Sequence, residues 1–293
     1  MTQSKNLLIK TASWAAASLP PSVKRGLYKI PVLTRFIRKS LNTAVPEGLT
    51  EVVIAGGISK GLRMVLDLHA EKDYWLGTYE PGLQDAARHF IQPGQIVYDV
   101  GANIGYISLI AARLVKASGK VFSFEALPAN IARLTQNLGL NNFLAYTQVV
   151  HAAVIDKPGE ATFLTHVSGA MGKAIGSAGR DETYAQSIKV NGVNLDHFVF
   201  GLNNPPPDLI KIDIEGGEGL ALAGMARLLK EIRPVMLIEL HGEEAARQVW
   251  ENLKINHYEL HAMEKHTPII NSLAELDWKA YVIALPNQTT GFF

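Results

Sequence analysis

From residue 96 onward, short continuous apolar runs alternate with stretches whose apolar residues recur every three or four positions, the pattern of buried strands handing over to helices. "QIVYDV", "GKVFSFE", "AYTQVVHAAV", "GEATF", "DLIKIDI", "PVMLIEL", "HYELHAM" and "AYVIALP" read as strands. "GYISLIAARLV", with Ile107, Ile110, Ala111 and Leu114 on one face, "PANIARLTQNLGL", "GLALAGMARLLKEI" and "EEAARQVWENL" read as helices; Pro128 and Gly139 sit where helix starts and ends prefer them. Ahead of this region, "EVVIAGGISKGLRMVLDL" predicts a β-hairpin around a Gly-rich turn, and "YEPGLQDAARHF" a short helix started near Pro81. Ser168 to Gln186 is rich in Gly, Ser and Ala without periodicity and predicts a mobile loop.

Alternation of this kind implies a mostly parallel, Rossmann-like α/β sheet with helices on both faces. Ligands of such sheets bind outside the carboxyl ends of the strands, where the topology reverses. The polar residues that end strands are therefore the ones to suspect: Asp99, Glu125, His151, Asp213 and Glu239. The expected organisation is an arm at 1–46, a β-hairpin and lid helix at 47–92, and a catalytic domain at 93–293.

Composition narrows the chemistry. The absence of cysteine rules out disulfides, thiolate metal sites and a cysteine nucleophile, and fits a reducing compartment. Residues 1–46 hold eight Lys and Arg and no acid, so that within a net +1 the remainder carries −7. Such an arm suits an anionic surface or the acidic body itself. "IPVLTRFIRKSL" places Val32, Leu33, Phe36, Ile37 and Leu41 on one helical face. Docking of that face on the body is the simpler expectation, and peripheral membrane contact the alternative. No apolar run is long enough to span a bilayer, so a cytoplasmic protein is expected, with the inner face of a membrane as the other placement the arm allows.

The stretch "VYDVGANIGY" joins a strand end to a helix start. Gly101 and Gly105 permit a tight turn and close approach of a ligand to the helix N-terminus. The spacing is not the G-x-G-x-x-G of a nicotinamide dinucleotide site, and Asp99 would repel a diphosphate but attract a cation. Glu125, closing the next strand, can accept ribose hydroxyls. A ribose, a positive centre and no phosphate describe S-adenosylmethionine. The plainer alternative is an Asp capping a helix and a Glu on the surface.

"VYDVGANIGYISLIAARLVKASGKVFSFEALPANIARLTQNLGLNN" resembles the cofactor half of a class I S-adenosylmethionine-dependent methyltransferase. More narrowly, "DLIKIDIEGGEGLALAGMARLLKEIRPVMLIELHG", "GTYE", "HAAVIDKPGEATF" and "VNLDHF" resemble the FkbM-type family, over about residues 50–286. Ala126 departs from the proline usual after the acid, and His151 from the asparagine usual before "AAV". The resemblance implies a seven-stranded sheet whose last strand runs antiparallel, and transfer of a methyl group to a hydroxyl of a sugar, glycan or secondary metabolite. It implies that Asp99, Gly101, Asn103 and Gly105 surround the methionyl part, that Glu125 takes the ribose, that Ala126 belongs to the cofactor-binding residues, and that His151 and Ala152 lie towards the adenine. Glu80, before the first cofactor strand, would close over the methionine end, although a helix-start role is simpler.

"KIDIEGGE" then has to hold the chemistry. Asp213 and Glu215 share a face if the strand persists that far, and Glu239 and His241 repeat the spacing on the next strand. His241 or Asp213 is the expected general base, with Glu215 and Glu239 positioning the acceptor. Glu218 serves either function or the start of the following helix. These acids are also hard ligands suited to Mg²⁺, but no Asp-Asn pair follows the strand, and no metal is expected. His257, His261 and His266 lack a carboxylate motif for zinc and read as surface residues. The expected partner is a small-molecule or glycan acceptor; nucleic acid is disfavoured because the body lacks a basic face with interleaved aromatics. N-methylation of a small molecule or protein, and a membrane-associated binding protein with a structural cofactor, stand as alternatives.

Overall fold

The computed structural model describes residues 48–166, 172–178, 184–264, 266–277 and 279–287. The amphipathic segment and the rest of the arm at 1–46 lie outside them. The chain divides between Pro81 and Gly82 into two compact units.

In the first unit, β1 (Leu49–Val53) and β2 (Arg63–Asp67) form the antiparallel hairpin expected, with Leu49 opposite Asp67. Helix α1 (Lys72–Leu76) follows and buries Trp75. It stops at Gly77, whose φ of 70° and a Cβ that would fall 2.0 Å from the Gly56 oxygen leave room for glycine alone. Glu80 belongs to this unit and has a left-handed φ of 42°. Helix α2 (Pro81–Phe90) opens at the junction on its proline.

The second unit carries a seven-stranded sheet. Its strands are β3 (Ile96–Val100), β4 (Lys120–Glu125), β5 (Thr147–His151), β10 (Leu209–Ile212), β11 (Val235–His241), β12 (Tyr258–Ala262) and β13 (Lys279–Pro286), in the spatial order β12-β13-β11-β10-β3-β4-β5. β13 runs antiparallel to both of its neighbours, and the pairs among β5, β4, β3, β10 and β11 are parallel. The chain enters at β3, goes outward through β4 and β5, and returns to the other side of β3 as β10. The topological switch point therefore lies between β3 and β10, the place at which open α/β sheets bind their ligands. Helices α3 (Tyr106–Val115) and α4 (Pro128–Leu140) follow β3 and β4. Under the central strands, Tyr98, Phe122 and Phe124 pack edge-on against Phe198, with ring centroids 5.1–5.8 Å apart, and the buried Tyr98 hydroxyl donates to the Pro205 carbonyl at 2.7 Å.

Three expectations are corrected. "AYTQVVHAAV" is not one strand: it leaves the main sheet at Ala152 and re-forms as β6 (Ala153–Val154) in a second sheet. That sheet, ordered β6-β9-β7-β8, is completed by β7 (Gly159–His166), β8 (Gly172–Ala174) and β9 (Tyr184–Val193). One of its strands, β8, and the first residues of another, β9, fall within the stretch expected to be a mobile loop: Lys173 pairs with Leu164, and Gln186 with Thr165. Exposed Ser187 and Lys189 obscure the alternation, and from these two strands Ala174, Ile188 and Val190 reach the small core that Phe163 and Ala161 share with Ala126 and Leu127.

The third correction concerns "GLALAGMARLLKEI", which is two helices, α5 (Glu218–Ala223) and α6 (Ala226–Glu231). A Cβ at Gly224 would fall 2.3 Å from the Ile155 carbonyl oxygen, and the Asp196 carboxylate accepts the backbone N–H groups of Arg227 and Leu228 at 2.7 and 2.8 Å. A side chain from outside thus caps a new helix start where periodicity alone reads continuity. Helix α7 (Glu243–Ile255) then follows β11.

Candidate active site

The strand ends at the switch point gather into two connected groups. The first is the turn after β3. Gly101 and Gly105 have φ of 78° and 93°, so the turn needs them for backbone reasons. The space a side chain would take is filled by protein: a Cβ on Gly101 would meet the Asp213 oxygen at 1.9 Å, and one on Gly105 the Leu134 Cδ1 at 2.6 Å. At Gly101 the close approach is between two turns of this chain, and at Gly105 between the turn and helix α4.

Glu125 holds that turn from below. Its Oε2 accepts the Asn103 N–H, and its Oε1 the N–H groups of Ala126 and Leu127, each at 2.8 Å, and the Asn130 side chain supplies a further hydrogen bond. Burial pushes its carboxyl upward, opposed by these donors. Asn103, half-buried at φ 49°, is held in the left-handed region by its bond to Glu125. The Ala126 side chain points into the small core of the second sheet, and that of Ala152 into the main core. His151 is exposed, with Nε2 3.0 Å from the Ala126 oxygen.

Asp99 is fully buried. Its Oδ2 accepts from the Ser108 hydroxyl at 2.6 Å, which in turn accepts from Ser123 at 2.8 Å, and Lys211 Nζ lies 3.4 Å from Oδ1.

The second group lies at the ends of β10 and β11. β10 stops at Ile212, so strand alternation does not bring Asp213 and Glu215 together. A turn through Glu215 (φ 53°) and Gly216 (φ 94°) does so, placing Asp213 Oδ1 and Glu215 Oε2 at 3.7 and 3.8 Å from His241 Nε2. Glu239 and His241 do share a face of β11, with Oε1 to Nε2 at 3.3 Å. Glu218 is fully buried at the start of α5: its Oε1 meets the Gly216 N–H at 3.1 Å and His241 Nδ1 at 3.0 Å. Lys279 Nζ reaches Glu239 Oε1 at 2.6 Å.

Charge settles the state of this group. Burial disfavours a charged imidazole, but hydrogen bonds to Glu218 and Glu239, with the charges of Glu218 and Asp213, overcome it and push His241 up to about 10. Burial acts to raise Glu239, yet His241 and Lys279 hold it down at about 2. Asp213 keeps 22% of its side chain exposed and is raised, chiefly by burial and by Glu239 and Glu218, against Lys211 and His241. An ammonium about 4 Å from a carboxylate gains about 4 kcal/mol near a protein surface, while desolvating each ion costs several. The desolvation cost therefore takes back much of the attraction, and what the network supplies above all is fixed geometry.

Asp213, Glu239 and His241 each offer a ligand atom within 4.8 Å of the others. A ligating imidazole must be neutral, so a metal here would compete with the proton on His241 and with Lys279 against Glu239.

Lys211, Lys279, Ser108 and Ser123 escaped the sequence reading. A charged residue within the wholly buried run "LIKI" was the available signal for Lys211, because a buried ammonium demands nearby carboxylates.

The order of the sheet, with its one antiparallel strand, is that of the class I methyltransferases. Residues 99–277 match the Methyltransferase FkbM domain, and the chain belongs to that family. It is 26% identical over 166 residues to the hexuronic acid methyltransferase AglP of Haloferax volcanii, which covers 55% of this chain and 63% of that protein. The crystal structure of methyltransferase FkbM from Methylobacillus flagellatus superposes with a TM-score of 0.43 at 16% identity, covering 87% of this chain and 59% of that one. An O-methyltransferase from Bacillus cereus in complex with SAH gives 0.44 at 14% identity, covering 71% and 81%. Among the described residues, no helix is long and apolar enough to cross a membrane.

Proposed function

We propose that this chain is an S-adenosylmethionine-dependent methyltransferase acting on an uncharged hydroxyl of a sugar or glycan. The observation that carries the reading is the pairing, across the switch point, of a Glu125-held turn with a cluster of carboxylates around one imidazolium. The residues fit the cofactor in charge. Formally, Asp99, Asp213, Glu215, Glu218 and Glu239 outnumber Lys211, Lys279 and His241, an excess that suits a sulfonium and an amine and opposes a diphosphate.

Gly101, Asn103 and Gly105 would hold the methionyl part, with Asp99 bracing their turn from beneath. Glu125 would take a ribose hydroxyl in exchange for the Asn130 side chain, since a carboxylate accepts about four hydrogen bonds. His151 and the backbone at Ala126 and Ala152 would face the adenine side. When bound, the cofactor supplies a methyl group on a positively charged sulfur.

Of the two candidate bases, His241 has no vacancy for a proton at neutral pH. Asp213, partly exposed and with its carboxyl raised by burial, is the group to accept the hydroxyl proton. Glu215 and Glu239 would orient the acceptor, with His241 fixing their carboxylates. An acid-lined site disfavours an anionic acceptor group, so a neutral hydroxyl is preferred here over the carboxylate of a uronic acid, whatever the Haloferax relative's own acceptor group. Calorimetry with S-adenosylmethionine on wild type and Glu125→Ala, followed by a methyl-release screen over neutral sugars and uronates, tests the reading. Binding that survives Glu125→Ala unchanged, or release with uronates alone, overturns it.

A further inference from the structure

Lys211 is the one charged residue of β10, and its side chain is 5% exposed. Its ammonium donates to the Gly101 carbonyl at 2.9 Å and lies 3.4 Å from Asp99 Oδ1 and 3.5 Å from Asp213 Oδ2. Gly101 and Asp99 belong to β3 and the turn that follows it, while Asp213 begins the turn after β10. The parallel register sets Lys211 beside Asp99. The two turns also meet through backbone: the Asp213 N–H donates to Val100 at 3.1 Å, and the space at Gly101 is closed by the Asp213 carbonyl. One cation therefore touches both turns, at a point where neither has room to move independently. Asp213 in turn faces Lys211 with one oxygen and His241 with the other.

We propose that Lys211 is a positioning residue that locks the cofactor turn and the acceptor-side turn into one unit, so that the setting of Asp213 is felt in the affinity for the cofactor nucleoside. This deepens the functional reading above and rests on it. An ammonium with three oxygens around it loses contacts if either turn shifts, and a buried ion tolerates that loss poorly. Coupling between residues in one charge network is what a double-mutant cycle isolates.

The test is calorimetric titration of S-adenosylhomocysteine, which binds without turnover, into the full chain and its Asp213→Asn, Lys211→Gln and doubly substituted forms. Asp213→Asn is expected to weaken binding about fivefold and Lys211→Gln about tenfold, with the double variant no weaker than Lys211→Gln alone, because Asp213 acts through the lysine. If Asp213→Asn costs the same factor in both backgrounds, or costs nothing in the wild type, the coupling is refuted. Should Lys211→Gln fail to melt cooperatively, Lys211→Arg, which keeps the charge and alters its reach, provides the second background with the same criterion. A wild-type chain that binds no nucleoside overturns the functional reading and the coupling together, whereas binding with additive losses overturns the coupling alone.

Discussion

His241 Nδ1 lies 3.0 Å from Glu218 Oε1 with both side chains buried. This places an imidazolium, not a neutral base, at the centre of the strand-end cluster, because Asp213, Glu215 and Glu239 face its other nitrogen.

The first consequence is a stability profile. His241 is raised from 6.5 to about 10, so its contribution is fully present below pH 6.5 and is lost as pH rises through about 10. Glu239 is lowered from 4.5 to about 2, so its contribution is present above 4.5 and is lost as pH falls through about 2. Unfolding free energies in denaturant, with chelator present, should show the gap between wild type and His241→Gln widest near pH 5–6 and closing towards pH 10. A gap that stays constant from pH 6 to 10 would mean the imidazole is neutral in the folded protein.

A second prediction concerns metal. The spacing of Asp213, Glu239 and His241 would accommodate one cation, but proton and lysine already neutralise those ligands. Methyl transfer should therefore survive dialysis against a chelator with less than about twofold loss, and added Mg²⁺ should not restore or enhance it. A chelator-dependent loss reversed by Mg²⁺ would assign the cluster to a metal after all.

The sheet, its antiparallel final strand and the strand-end acids could be read because buried parallel strands are continuous apolar runs in which a terminal Asp or Glu stands out, and because "DVGANIGY" and "KIDIEGGE" together resemble one family. The second sheet beyond "GEATF" could not, since Gly172, Ser187 and Lys189 mask its alternation. Neither could the split at Gly224, which depends on a cap from Asp196, far away in sequence. The charge of His241 was hidden for the same reason. It is set by Glu218 and Glu239 arriving from different elements, and no spacing along the chain announces that convergence.

The Gly101 turn yields a third prediction. At φ 78°, with the Asp213 oxygen where a Cβ would stand, Gly101→Ala meets both backbone strain and a backbone clash. A loss of about 2–4 kcal/mol of stability is expected, whereas Gly139→Ala, inside α4 with its nearest obstacle a Leu144 methyl at 3.5 Å, should be neutral or slightly stabilising. Equal denaturation midpoints for the two variants would contradict the packing of the two turns.

The assignment of the base gives the last prediction. A general base contributes about 10²–10⁴-fold, and Asp213→Asn removes the carboxylate while keeping its size and much of its hydrogen bonding. With an acceptor found by the methyl-release screen, kcat should fall by about 10² or more in Asp213→Asn, while the acceptor KM changes little. His241→Gln removes a fixed positive charge and loosens Glu239, Glu215 and Asp213 together, so its effect should appear in KM as well as kcat. The pH dependence separates the roles further. If Asp213 takes the proton, the acidic limb of the kcat profile belongs to it and should vanish in Asp213→Asn but persist, displaced to higher pH by the loss of a neighbouring cation, in His241→Gln. An acidic limb that disappears in His241→Gln and persists in Asp213→Asn would transfer the base to the histidine, and would require an acceptor that strips the imidazole of its proton on binding.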